Sequence, residues 1–317
     1  LGAGALALGW WYPAPSVDCR ARAAEPTVMD ASAPRPILVL AVVLFFAVIG
    51  FKLALVPFHA WTPEAYDGAP LPIAAFLAGV SKIAALAGLL VVIRAVAPLG
   101  ASVLTSIALV AAASMTLGNI MALRQNGVVR LLAWSTVAQA GWVVMPLATV
   151  STAAVRASGA YLVAYVLATL LAFAVVAALV QIRGSERARD LASYRGLMRD
   201  HPVLGAALGL ALLSLAGLPP GVLGLVAKVT ALRPVVGSEL WLLAVIAAAN
   251  AVLGVAVYVR WLRALLATPE ERADEKTRVA VHTVRPHPAT LVAVGFAAVS
   301  LVLTSVSPQL ILGLMGS

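Results

Sequence analysis

Apolar residues run along this chain in blocks of about 20 with little polar interruption, instead of alternating or recurring on one helical face. That length is what an α-helix needs to cross a bilayer core. Eight segments qualify, at about 37–56, 71–93, 99–123, 131–150, 157–182, 203–232, 240–259 and 288–314. Backbone groups in lipid must be satisfied inside the protein, so segments this rich in Ala, Leu and Val are predicted to be helices and not barrel strands. The expected fold class is all-α, a polytopic transmembrane helical bundle of about eight spans. Two of these are expected to be broken helices. Pro57 closes the first segment, and Gly217, Leu218, Pro219, Pro220 and Gly221 interrupt the sixth. Proline and glycine there free backbone groups that only protein or water can satisfy.

The stretch Leu1 to Tyr12 is apolar but too short to span, and no Lys or Arg precedes Arg20, as a signal peptide would require. It is expected to be the remnant of a helix that starts upstream. Residues 13–36, with five prolines, are expected to form an exposed loop. The chain thus divides into 1–36 and a membrane domain at 37–317. Thirteen Lys and Arg fall in the connections of one side and six in those of the other. The basic side is expected to be cytoplasmic, which places the 57–70, 124–130, 183–202 and 260–287 connections inside and the C-terminus outside.

Composition narrows the class further. Hydrophobic residues make up 62% of the 317 and charged residues 11%, with a mean hydropathy of +1.00, so water cannot be the main solvent. The net charge of +9 does not imply nucleic acid, because the arginines lie singly or in short loops and form no basic face. Cys19 is the only cysteine, which excludes an intrachain disulfide and a cysteine-held metal or iron–sulfur site. Any redox cofactor is expected on another subunit, with none in this chain.

Candidate chemistry lies in the spans. Only four of the 22 basic residues are lysines, and Lys52, Lys82 and Lys228 fall within apolar segments, whereas none of the 13 acids does. A charge at the bilayer centre costs roughly 2.5–3.5 kcal/mol on insertion scales. Lys82, about eleven residues from either end of its segment, would lie roughly 16 Å deep at 1.5 Å per residue. Arginine stays charged, but a desolvated lysine can give up its proton, so arginine outside and lysine inside suits a proton relay. Lysines that snorkel to an interface would be the bland alternative. A broken helix beside a buried charge is also the ion-site pattern of transporters.

The remaining polar positions carry weaker signals. Serines and threonines in membrane helices usually bond their own backbone. Gln139 and Asn250 are the strongest candidates for lining a hydrated path, and His59 is as much a packing or capping residue as a proton carrier. Trp61, Trp241 and Trp261 are expected as interfacial anchors at segment ends. No phosphate loop, metal spacing or nucleophilic triad is present in the sequence. Residue chemistry alone reaches a helical transporter or channel working on protons.

Three runs carry a family resemblance: GFKLALVPFHAWTPEAYDGAPLPIAAFLAGVSK from Gly50 to Lys82, GNIMALRQNGVVRLLAWSTVAQAGW from Gly118 to Trp142, and SLAGLPPGVLGLVAK from Ser214 to Lys228. In order and spacing they resemble the signatures of the antiporter-like proton-channel membrane subunits of NADH:quinone oxidoreductase (respiratory complex I), most closely those of the subunit N type. The resemblance covers the chain from about residue 37 onward. It implies a subunit of a bacterial plasma-membrane translocase that holds no cofactor and moves protons through Lys52, Lys82 and Lys228. It also implies other complex I membrane subunits and the lipid bilayer as partners, with quinone bound elsewhere in the complex. A lysine at position 228 favours the subunit N type, because a sister subunit has glutamate there.

Two departures from the family pattern stand out. The family fold has fourteen helices in two inverted repeats. This chain therefore reads as its remnant, lacking the glutamate that partners the first lysine. Gln139 and Val129 stand where the family often has histidine and lysine. The alternatives in sequence terms are a subunit of a multi-subunit cation/proton antiporter and a truncated, inert structural subunit.

Overall fold

The computed structural model describes residues 35–96, 101–149, 151–184, 188–267 and 286–309. The expected remnant at Leu1 to Tyr12 and the C-terminal Ser317 lie outside the described residues. The helices are α1 (Arg35–Leu53), α2 (Trp61–Gly68), α3 (Leu71–Ala78), α4 (Val80–Val96), α5 (Ala101–Leu123), α6 (Val128–Val144) and α7 (Thr152–Arg183). There follow α8 (Leu197–Asp200), α9 (Pro202–Ala216), α10 (Val222–Gly237), α11 (Trp241–Leu266) and α12 (Pro288–Val306). No β-strand occurs among the described residues.

Among the described residues, six stretches are long and apolar enough to cross a membrane: Leu71–Arg94, Val103–Leu123, Val128–Thr149, Thr152–Arg183, Trp241–Leu266 and Pro288–Val306. The other two expected segments are helical as well. One is α1, and the other is divided between α9 and α10, as its Gly-Leu-Pro-Pro-Gly run predicts. Leu71–Arg94 is itself α3 and α4 joined at Gly79. The 57–70 connection contains α2. Its first turn holds Pro63, which a helix tolerates there because those amides lack intrahelical partners in any case.

Burial sorts the spans into inner and outer. In Val128–Thr149, 94% of the apolar window is buried, whereas in Pro288–Val306 only 17% is. The inner span carries Ser135, Thr136 and Gln139, all buried. The outer one presents Val292, Phe296, Val299 and Val306 outward, as a lipid-facing helix does. α7 lies at the centre, against α3, α9, α10 and α12. α5 and α6 pack backbone to backbone, since a Cβ on Gly118 would fall 2.4 Å from the Ala138 nitrogen.

One end of the bundle is sewn together by arginines. Arg260 of α11 donates to the Leu123 and Gln125 carbonyls at the C-terminus of α5, where a cation complements the helix dipole. Arg189 binds the Asp67 carboxylate at 3.0 Å and Arg130 binds Glu64 at 2.7 Å. The 188–191 strip docks on the α5–α6 turn through Val128 N to Arg189 O and Leu191 N to Asn126 O, both 2.8 Å. Trp261, expected as an interfacial anchor, is instead fully buried, edge-on to Tyr194 with ring centroids 5.3 Å apart. It sits one turn before the end of α11 but beneath the 191–200 connection, which covers it.

Candidate functional site

The site begins with how two half-helices end. α1 closes with Leu55 N bonded to Gly50 O at 2.8 Å and Ala54 N to Phe51 O at 3.1 Å. α9 closes with Leu218 N to Leu213 O at 2.9 Å and Gly217 N to Ser214 O at 3.1 Å. Each pair is a Schellman cap, with the left-handed position taken by Ala54 (φ 64°) in one and Gly217 (φ 77°) in the other. Such a cap satisfies two of the last four carbonyls and leaves the final two without backbone partners. The Val56–Pro57 and Pro219–Pro220 bonds just beyond the caps are both cis.

Lysines take these leftover carbonyls. Lys82 Nζ, from α4, donates to the Lys52 carbonyl at 3.0 Å. Lys228 Nζ, from α10, donates to the Ala216 carbonyl at 2.5 Å. Both side chains are buried, at 2% and 7% exposure. The break beyond α1 is also satisfied by protein, since Val56 N donates to Ser114 Oγ at 2.9 Å. At the second break Gly224 lies so close to α9 that a Cβ there would sit 1.7 Å from Ser214 O.

Each ammonium also faces an indole. Lys82 Nζ is 5.8 Å from the Trp61 ring centroid, and Lys228 Nζ is 5.7 Å from that of Trp142. Trp61 is fixed by its Nε1–H to Phe51 O, at 2.9 Å, and by stacking on Phe51. Trp142 stacks on Tyr161 at 5.7 Å and 8°.

Two hydrogen-bonded clusters of neutral groups lie near the lysines. Tyr165 OH donates to the Ala78 carbonyl at 2.7 Å, one turn before Lys82, and lies 3.1 Å from Thr136 Oγ1. One turn earlier on α7, Tyr161 OH donates to Gln139 Oε1 at 2.5 Å. Gln139 Nε2 donates to Tyr258 OH at 2.9 Å, and Tyr258 OH pairs with Ser135 Oγ at 2.5 Å. Gln139, Tyr161, Tyr165, Ser214 and Gly224 line a cavity of about 10 Å³ measured to water centres, enough for one water. Ser214 Oγ is buried there with no protein partner.

The six sequence candidates divide. Lys82, Lys228 and Gln139 belong to this buried assembly. Lys52 lends it a backbone carbonyl, while its side chain is exposed among the described residues. It lies on the α1 face of Phe45 and Val48, which is also exposed. α1 is apolar on every side, so its sequence does not say which face meets protein. His59 stands apart, between α1 and α2, its ring 5.4 Å from that of Trp134. Burial lowers its imidazole pKa, offset in part by a backbone hydrogen bond at Pro57. Asn250 is not on the path either. It clamps α11 to α5 through Asn119 and Thr116, at 3.1 and 3.0 Å. Sequence reasoning missed Tyr161, Tyr165 and Tyr258. The spacing of four between the first two inside an apolar segment was the available signal.

The family model described as NADH:quinone oxidoreductase/Mrp antiporter, transmembrane, matches residues 27–254. The chain is similar to NADH-quinone oxidoreductase subunit N of Salinispora tropica, with 43% identity over 256 residues, 78% of this chain and 48% of the relative. A subunit N of Streptomyces griseus is 43% identical over 229 residues, 69% of this chain and 42% of the relative. The chain thus spans about half the length of the curated relatives it matches. Among solved structures, respiratory complex I from Thermus thermophilus matches with a TM-score of 0.71 and 35% identity, covering 98% of this chain and 64% of that one. The Mrp complex from Dietzia shares the fold at a TM-score of 0.73 and 20% identity, covering 99% of this chain and 63% of that one.

Proposed function

The chain belongs to the NADH:quinone oxidoreductase/Mrp antiporter transmembrane family, and we propose that it moves protons across the membrane by way of Lys82 and Lys228. It is an antiporter-like, multi-pass membrane protein of the kind that serves as subunit N in its relatives. Proton movement, its coupling to redox chemistry in other subunits, and assembly with further complex I membrane subunits are inferred for this chain. So is the cytoplasmic placement of its arginine-rich end, which follows from the distribution of basic residues.

The observation that carries the reading is the pairing of each interior lysine with a carbonyl left over at a helix break. A carbonyl at a helix C-terminus stabilises the ammonium without neutralising it. Among the described residues neither Lys82 nor Lys228 is paired with a carboxylate, so within them each can change its charge without leaving one stranded. Protons would pass between the two by way of the tyrosine hydroxyls and a water in the Ser214 cavity, with the Gln139 amide, which does not titrate, holding Tyr161 and Tyr258 in place. The network holds both donors and acceptors, whose hydroxyls rotate to either sense.

The test is proton uptake by reconstituted vesicles of the assembled complex. Lys82→Met is expected to depress coupled pumping with assembly retained. Lys228→Arg is expected to keep the charge and lose much of the pumping, because a guanidinium does not release its proton. Parental pumping by both variants would refute the relay.

A further inference from the structure

We infer that Trp142 and Trp61 are positioning residues that hold Lys228 and Lys82 in their protonated state, each indole acting as an uncharged counterpart to the ammonium. The inference rests on the relay reading and adds to it two residues outside the lysine chain.

The geometry occurs twice, on unrelated stretches of sequence. In each case a lysine Nζ donates to a carbonyl left over at a half-helix end, at 3.0 or 2.5 Å. In each case the same nitrogen lies 5.8 or 5.7 Å from an indole centroid. An indole offers the strongest aromatic attraction for a cation, and desolvation strengthens it. The neutral amine gains little from the ring, so the indole shifts the balance towards the charged form.

The other groups facing these lysines do not supply that bias. Against Lys228, α7 presents Tyr161 and Tyr165 and α11 presents Tyr258, all hydroxyls engaged with neutral partners. α9 and α12 present no titratable side chain within their described ranges. On α10 itself the other charge is Arg233, more than one turn away. Near Lys82, α1 brings the Lys52 carbonyl, α7 brings the Tyr165 hydroxyl to Ala78 one turn away, and α2 brings Tyr66 against Trp61. Of the groups around Lys82, the indole and the carbonyl favour the cation.

Both rings are held in place by something other than the lysine. Trp61 is hydrogen-bonded to Phe51 O. Trp142 lies flat on Tyr161, whose hydroxyl is bound to Gln139. The second arrangement connects the charge state of Lys228 to the neutral bridge: a ring displaced from the lysine would also disturb Tyr161.

The deciding experiment replaces Trp142 site-specifically by 5,6,7-trifluorotryptophan in the full-length chain, assembled in its complex in membrane vesicles. Fluorination keeps the shape and drains the negative face of the ring. The alkaline limb of the pumping–pH profile should move down by about half a unit to one and a half units, because the lysine then gives up its proton more readily. Trp142→Phe should move it in the same direction. An unchanged limb in fluorinated vesicles, with Lys228→Met inactive beside it, overturns the indole role and leaves the relay standing. Parental pumping by Lys228→Met overturns the relay reading itself, and the indole role with it.

Discussion

The side chain of Lys228 lies directly across Gly217, the residue that caps the half-helix whose carbonyl it takes. A Cβ on Gly217 would meet the lysine Cδ at 3.1 Å and Nζ at 3.3 Å. Gly217 also has φ 77°, a left-handed conformation that costs an L-residue roughly 1–2 kcal/mol. One position therefore serves both the cap and the seat of the ammonium. Gly217→Ala should lower thermal stability by about that amount and should also depress proton uptake, because the lysine must shift. Thermal unfolding in detergent and vesicle pumping, measured on one preparation, check both.

Ala54 offers the matching comparison. It closes α1 with the same hydrogen bonds at φ 64°, but the lysine that uses the α1 carbonyl approaches at Lys52 O instead. Ala54→Gly exchanges backbone strain for the loss of one buried methyl, each about 1 kcal/mol, so it should be close to neutral. Ala54→Val puts a β-branched side chain at positive φ and should destabilise by more than 2 kcal/mol, on the order expected from strain plus overpacking. Thermal unfolding of the two variants in detergent tests this. Equal losses would show that the cap at α1 is not held by its backbone conformation.

These positions also show what the sequence could convey. The spans follow from apolar length, and the sixth segment breaks where glycine and proline cluster. Lys82 and Lys228 stand out because a cation in an apolar segment demands compensation. The partners that provide it do not stand out. Which carbonyl a lysine reaches depends on helices 30 or 12 residues away in sequence meeting in space. Tyrosines 161, 165 and 258 are concealed in apolar segments because their rings fit there as any hydrophobic residue would, and only packing brings their hydroxyls together. The outward turn of Lys52 is illegible for a related reason, since an all-apolar helix has no face that chooses protein over lipid.

Orientation is testable at two exposed positions. Arg199 lies in the arginine-rich connection before α9, and Ser238 follows α10. The broken α9–α10 segment is expected to separate them by one crossing. With Cys19 replaced by serine, a membrane-impermeant thiol reagent should label Arg199→Cys from the cytoplasmic side and Ser238→Cys from the opposite side. Labelling of both from one side would mean that α9 and α10 do not make a single crossing.

Gln139 is where the neutral bridge can be cut with the least disturbance to packing. Its amide joins Tyr161 of α7 to Tyr258 of α11, with hydrogen bonds of 2.5 and 2.9 Å. Gln139→Met has similar volume and flexibility, so the core should still close. It leaves the Tyr161 hydroxyl without its acceptor and Tyr258 without one donor. A buried unpaired polar group costs about 1–3 kcal/mol, so stability should fall by about 2–4 kcal/mol. Pumping should fall more steeply than assembly, because the amide no longer holds the two tyrosine hydroxyls in place. Tyr161→Phe alone should be milder. The double variant should then lose less than the two single losses combined, because the hydroxyl it removes has already lost its acceptor. If the two losses instead add independently and Gln139→Met pumps like the parent, the proton passes from one lysine to the other by another route.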